Sequence, residues 1–113
     1  MPFAVYNLAL DLLALADEVV AQLPRGRGHL ADQLARASTS IVLNLAEGAG
    51  KFSKPDKRRY YITAVGSTTE SAAIFDVFVR LKLISTDQHS VAKGMLERIA
   101  AMLVKLAKAQ EDA

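Results

Sequence analysis

Two runs in the middle of the chain decide the fold: RASTSIVLNLAEGAGK at residues 36–51 and RRYYITAVGSTTE at residues 58–70. In each run, apolar residues recur at helical spacing, and Ser, Thr, Asn and charged residues are interspersed among them. The link between the runs is short and basic and follows two glycines, which is typical of a tight connection. The sequence therefore predicts two helices that fold back on each other as a hairpin.

The first helix of this hairpin is predicted to run from about His29 to Glu47, ended by positive-φ glycines at Gly48 and Gly50. Its predicted buried stripe consists of Leu30, Leu34, Ala37, Ile41 and Leu45. Asn44 lies at the edge of this stripe. A polar side chain there needs hydrogen-bond partners, since leaving it unsatisfied costs about 1–3 kcal/mol.

The second helix is predicted to begin after Ser53 and to end near Leu83. The Ser53 side chain can cap its start, and Asp56 is the acidic residue at the third helical position. One predicted stripe is Tyr61, Ala64, Thr68, Ser71, Phe75 and Phe78. Another is Ile62, Val65, Ala72, Val79 and Leu83. A helix that is apolar on two sides is surrounded, so we expect the second side to face a neighbouring copy of the chain.

Two further amphipathic helices flank the hairpin. The first is predicted from Val5 to Leu23, stopped by Pro24, with Leu8, Leu12, Leu15 and Val19 on one side. The last follows a capping signal at Ser85 and Gln88 and continues to about Ala109. Its predicted inward residues are Val91, Met95, Ile99, Met102 and Leu106. The expected fold is all-α, a single domain at residues 1–113 that forms an antiparallel up-down-up-down four-helix bundle.

The composition limits the classes of function. The chain has no cysteine, which excludes disulfides, thiolate catalysis and Cys-based zinc sites and fits a cytoplasmic location. Neither a signal peptide nor a membrane span is expected from its apolar runs. Hydrophobic residues make up 51% of the chain, a high value for a small bundle, which indicates apolar surface covered by another subunit.

The polar residues of the hairpin allow two interpretations. With the turn near Lys51, facing residues have numbers that sum to a little over one hundred, so Arg36 should face Glu70 and Glu47 should face Arg59. These pairs would tie the two helices in one register. The rival interpretation is a small-ligand site built from Arg36, Asn44, Glu47 and Glu70.

A basic cluster follows the first helix of the hairpin. Its five cations fall within nine residues: Lys51, Lys54, Lys57, Arg58 and Arg59. They could contact nucleic-acid phosphates, and Phe52, Tyr60 and Tyr61 could offer stacking faces to bases. The alternative is a solvated basic helix start. Because the salt slope for single strands is about −0.7 per phosphate, one copy alone would bind weakly.

No constellation for catalysis or metal binding is recognisable in the sequence. His29 and His89 have no acidic residue three positions before them, so the Glu-x-x-His pairs of di-iron bundles are absent. Gly50 and Lys51 resemble part of a P-loop, but Phe52 occupies the Ser/Thr position and no strand precedes it. We expect a protein that is not an enzyme and needs no cofactor and no metal.

The hairpin resembles the bacterial four-helix-bundle family of 23S rRNA intervening-sequence proteins, or S23 ribosomal proteins. The residues that carry the resemblance are Gln33, Arg36, Ala37, Ser38, Ser40, Ile41, Asn44, Glu47, Gly48, Gly50, Lys51, Arg58, Arg59, Tyr60, Gly66, Ser67 and Glu70. The accessory variability protein of diversity-generating retroelements is a relative. The resemblance implies a ring-shaped homopentamer, and the retroelement relative binds nucleic acid and a reverse transcriptase through a basic surface.

Together these observations lead to one hypothesis and two alternatives. The hypothesis is a non-enzymatic homo-oligomeric scaffold, pentameric by resemblance, that presents the basic cluster to RNA or DNA. The first alternative is a scaffold that binds a protein partner and has no role with nucleic acid. The second is a bundle that binds a small ligand.

Overall fold

A computed structural model describes residues 2–111, which form four helices. They are α1 (Phe3–Gln22), α2 (Gly28–Gly50), α3 (Lys54–Arg80) and α4 (Thr86–Ala109). Each helix packs on the next in chain order, and α4 closes the bundle against α1. The bundle measures 49 × 22 × 19 Å, and no strand occurs within residues 2–111. The prediction of an all-α up-down-up-down bundle is confirmed.

The two predicted caps form, whereas the predicted end of α2 is wrong. The Ser53 hydroxyl accepts a hydrogen bond from the Asp56 amide at 3.2 Å, and Ser85 and Gln88 make a reciprocal capping box. Gly48 and Gly50 both lie inside α2, and positive φ within residues 2–111 occurs only at Gly26 and Lys82. The α2 helix ends because the backbone becomes extended at Lys51.

Gly48 has a packing role instead. A Cβ atom at this position would lie 2.7 Å from Cε1 and 2.9 Å from Cδ1 of Tyr61. Because real Cβ atoms do not approach a ring this closely, glycine is what lets α2 and α3 pack together at this end of the bundle. Gly48 therefore marks a helix–helix contact and not the end of a helix.

The core confirms the prediction for α3 and corrects it for α4. All six residues of the first predicted α3 stripe are buried. In α4, however, the buried residues are Ala92, Leu96, Ile99, Leu103 and Ala107. Only Ile99 belongs to the predicted stripe, and Val91 is 57% exposed. The pattern of large apolar residues favoured the side of α4 that faces α1, whereas the bundle buries alanines where helices approach closely.

A similar shift affects α1, where Ala16 is buried and Leu15 is half-buried. In the described part of the chain, three polar residues lie in the core, Ser38, Thr68 and Ser71, and each hydroxyl donates to the carbonyl oxygen four residues earlier. These bonds satisfy the buried hydroxyls without a partner from another helix. Among residues 2–111, no helix combines the length and the apolar character required to cross a bilayer.

Candidate functional site

One end of the bundle collects the basic residues. The antiparallel order places the start of α1, the α2–α3 turn and the end of α4 at this end, and Arg58 contacts Glu111 across it at 3.8 Å. All five predicted cations lie here. The fold adds Lys105 and Lys108 from the last turns of α4. Sequence reasoning missed these two, because they lie about fifty residues further along the chain; the topology alone could have placed them.

Most of these cations already have partners within the protomer. Three form ion pairs: Lys51 with Glu47 at 3.5 Å, Arg59 with Asp56 at 3.6 Å, and Arg58 with Glu111 at 3.8 Å. The Lys57 ammonium donates to the carbonyl oxygens of Ala49 and Gly48 at 3.0 and 3.4 Å, which caps the negative end of α2. Lys54 is exposed and forms no ion pair among the described residues.

The three aromatic residues near the turn differ in whether their rings are free to stack on a base. Phe52 is fully exposed at the tip of the turn. The Tyr60 ring contacts two cations, with Lys51 Nζ at 5.2 Å and Arg59 Cζ at 5.1 Å from its centroid. Tyr61 is buried, and this burial raises the pKa of its hydroxyl above the ordinary value. Tyr61 therefore cannot stack on a base, and only Phe52 presents a free ring.

The α2–α3 contact is held by neutral polar groups. The hydroxyls of Ser40 and Ser67 are hydrogen-bonded to each other at 2.7 Å. The Asn44 amide donates to both the carbonyl and the hydroxyl oxygen of Ser40, each at 2.9 Å. Asn44 thus has the partners that its position requires, and the two helices are linked through serines.

The predicted charge pairs across this contact are wrong. Arg36 pairs with Asp32 on its own helix at 3.0 Å, and Glu47 and Arg59 also pair with residues nearby in sequence. Glu70 is exposed and makes no ion pair among residues 2–111. The reason is geometric: these charged side chains project outward, while Ser40 and Ser67 occupy the positions between the helices.

The residues of the expected ligand site do not converge either. A shallow depression on the outer side of α2 includes Arg36 and Asn44, together with Ala35, Thr39, Ser40 and Leu43. Glu47 and Glu70 do not line it. Within residues 2–111, no group of three His, Asp or Glu side chains lies close enough to hold a metal ion.

A separate charged cluster joins α3 to α4. Asp76 accepts hydrogen bonds from His89 Nε2 at 2.7 Å and from Lys93 Nζ at 2.9 Å. Hydrogen bonds from His89 and Lys93 hold the pKa of the Asp76 carboxyl below its ordinary value. The cluster links the last turns of α3 to the first turns of α4, at the end of the bundle opposite the basic residues.

Comparison with known proteins identifies the family. A model of the 23S rRNA-intervening sequence protein family matches residues 2–105. The chain belongs to this family. A crystal structure of a protein of unknown function from the S23 ribosomal protein family of Bacteroides thetaiotaomicron VPI-5482 is similar in fold. The TM-score between the two structures is 0.86 and the sequence identity is 19%. The match covers 92% of this chain and 98% of the Bacteroides chain. No functionally curated protein matches the sequence.

Proposed function

We propose that this member of the 23S rRNA-intervening sequence protein family is a cytoplasmic, non-enzymatic homo-oligomeric scaffold that binds RNA or DNA through its basic end. Its assembly is a pentamer, as the resemblance implies. The observation that carries the proposal is the coincidence of a basic bundle end with apolar residues exposed along the sides.

The support for self-association is the apolar surface. Among residues 2–111, the exposed large hydrophobic residues are nine: Phe3, Leu10, Leu43, Phe52, Ile62, Val77, Leu81, Val91 and Val104. Single exposed apolar residues need no explanation, but nine of them on a chain of 113 residues offer apolar surface that another chain can cover. A small bundle with this much exposed apolar surface gains stability when copies of it associate.

The support for nucleic acid is the chemistry of the basic end. This end carries seven cations and the exposed Phe52 ring, groups that are suited to contact phosphates and to stack on a base. A single copy makes few contacts, since its cations are partly neutralised by Glu47, Asp56 and Glu111. Several copies in one assembly raise the avidity by effective concentration.

The test is binding of single-stranded RNA, measured by fluorescence anisotropy as a function of salt. The variant Lys54→Ala/Arg58→Ala/Arg59→Ala should bind at least tenfold more weakly, and its salt slope should be shallower by about 0.7 for each phosphate that it no longer neutralises. The matched control is Arg25→Ala/Arg27→Ala/Arg80→Ala, which removes three cations from the opposite end and should bind like the wild type.

The alternative is a scaffold that binds a protein partner. It is favoured by the partners that Lys51, Arg58, Arg59 and Lys57 have within the protomer, because these contacts reduce the positive charge offered to phosphates. Of the five predicted cations, Lys54 alone forms no such contact among the described residues. Salt-independent binding, or equal loss of binding in both variants, would contradict the nucleic-acid role of the basic end and leave this alternative.

A further inference from the structure

The half-buried Tyr60 ring contacts one cation from each side of the α2–α3 turn. Lys51 Nζ, directly after α2, lies 5.2 Å from the ring centroid, and Arg59 Cζ, in the second turn of α3, lies 5.1 Å from it. Both distances are within the range of about 6 Å in which the electron-rich face of a ring attracts a cation. Two cations that are eight residues apart in sequence therefore share one partner.

The position of the Tyr60 ring is fixed by packing. A Cβ atom at Gly48 would be 3.1 Å from the Cβ atom of Tyr60, so the root of the tyrosine side chain lies against the last turn of α2. The next residue, Tyr61, is buried beside the same glycine. Free Lys and Arg side chains sample many rotamers, whereas a ring anchored on both helices does not. Contact with this ring therefore reduces the number of orientations that the two cations adopt.

The ring holds these cations without neutralising them. The Glu47 carboxylate lies 3.5 Å from Lys51, and the Asp56 carboxylate lies 3.6 Å from a guanidinium nitrogen of Arg59. Both distances are longer than the roughly 2.7–3.2 Å of a hydrogen bond, and both carboxylate side chains are more than half exposed. Because exposed pairs of this kind are weak, a phosphate can replace either carboxylate. The ring has no net charge, so a cation in contact with it keeps its full charge for a phosphate.

Other cations of the basic end have different partners. Lys57 donates to carbonyl oxygens at the end of α2, and Arg58 is paired with Glu111 across the end of the bundle. Lys51 and Arg59 are the pair that an aromatic ring orients within the described part of the chain.

We propose that Tyr60 is a positioning residue that presents Lys51 and Arg59 together to the phosphates of a single-stranded nucleic acid. The inference rests on the proposed function and names the pair of cations that makes the oriented phosphate contact. Side chains that are already oriented lose less conformational entropy on binding, so they bind more tightly. Tyr60 acts through these two cations and not by stacking on a base, a contact for which the Phe52 ring is exposed.

The experiment measures binding of a labelled single-stranded RNA to variants of the full chain by fluorescence anisotropy. Tyr60→Leu removes the aromatic face and should bind about threefold to tenfold more weakly, whereas Tyr60→Phe keeps the face and should bind like the wild type. The matched control is Tyr6→Leu. Tyr6 is also half-buried, and no cation lies over its ring among residues 2–111, so this variant should bind like the wild type.

The same substitution in a chain that lacks both cations separates positioning from other roles. In the Lys51→Ala/Arg59→Ala background, Tyr60→Leu should cause no further loss of affinity, because the side chains through which Tyr60 acts are gone. The comparison is made at low salt, where weak binding is strong enough to measure. A ring that is purely structural, or that stacks directly on a base, would cause an equal loss in both backgrounds. Equal losses would overturn the inference and leave the proposed function standing.

A series of fluorinated phenylalanines at position 60 tests the inference if Tyr60→Leu does not fold. Each added fluorine withdraws negative charge from the ring face and leaves the shape of the ring nearly unchanged, so RNA affinity should fall stepwise with the number of fluorines. Affinity that does not depend on the fluorines would overturn the inference alone. A wild type that binds no single-stranded RNA would overturn the proposed function and the inference together.

Discussion

The helices of this bundle pack differently on the α2–α3 side and on the α1–α4 side. On the α2–α3 side, Gly48 lies against the Tyr61 ring, and Asn44, Ser40 and Ser67 form a hydrogen-bonded set between the helices. On the α1–α4 side, flexible Leu and Met side chains remain half-buried along an open groove. Small and polar residues let helices approach and fix their register, whereas large apolar residues without a facing partner leave surface for another chain.

Among substitutions on the α2–α3 side, Gly48→Ala should lower the stability of the protein most. The new methyl group would overlap the buried Tyr61 ring, and overpacking of this kind costs about 1–3 kcal/mol. We expect a lower melting temperature, by about 4–8 °C for each kcal/mol, in thermal denaturation followed by circular dichroism.

Gly50→Ala is the matched control, because a Cβ atom there meets nothing within 4 Å. It should be neutral or slightly stabilising. Equal effects of the two substitutions would show that Gly48 has no packing role and that the contrast between the two sides is overstated.

Removing the serine contact should have a smaller effect. Ser67→Ala deletes the hydroxyl that Ser40 bonds, while Asn44 still bonds Ser40. We expect a loss of about 0.5–1.5 kcal/mol in the free energy of unfolding, measured by urea denaturation. Thr69→Ala, an exposed hydroxyl on the same helix, serves as the comparison and should change stability less.

The cluster of Asp76, His89 and Lys93 should contribute less to the free energy of unfolding than the serine contact does. Because the folded pKa of Asp76 lies below its unfolded value of about 3.9, its contribution is present above that pH and is lost as the pH falls through the folded pKa. Asp76 is half-exposed, so Asp76→Asn should cost less than about 1 kcal/mol at pH 7, and this cost should shrink as the pH falls below about 3.9. A pH-independent cost would argue against the ionic origin.

Glu70→Ala should have the smallest effect on the protomer. Glu70 is exposed and has no ion-pair partner within residues 2–111, so we expect a change within about 0.5 kcal/mol under conditions where the chain is dissociated. A clear loss of stability under these conditions would instead support the predicted pairing of Glu70 with Arg36, which is absent from the structure.

Sequence patterns predicted the parts of this fold that are local or strongly periodic. The caps at Ser53 and Ser85 and the buried stripe of α3 depend on spacing within one helix, and the structure has them. The α4 stripe was wrong because periodicity cannot tell a core position such as Ala92 from a half-exposed one such as Met95. Which alanine lies at a helix crossing depends on the neighbouring helices.

The candidate site was predicted only in part, for a related reason. The basic cluster is contiguous in sequence and was visible there, but the contributions of Lys105 and Lys108 depend on the topology. The charge pairs were wrong because register alone does not say which side of a helix a residue occupies. Arg36 and Glu70 have matching heights along the hairpin and still project away from each other's helix.

The most direct measurement is the mass of the wild-type protein in solution, determined by size-exclusion chromatography with light scattering at micromolar concentration. The exposed apolar residues on both sides of the bundle predict an assembly larger than a dimer, at five times the 12.2 kDa mass of one chain for the pentamer. A single species at 12.2 kDa would contradict the claim that identical copies cover these surfaces.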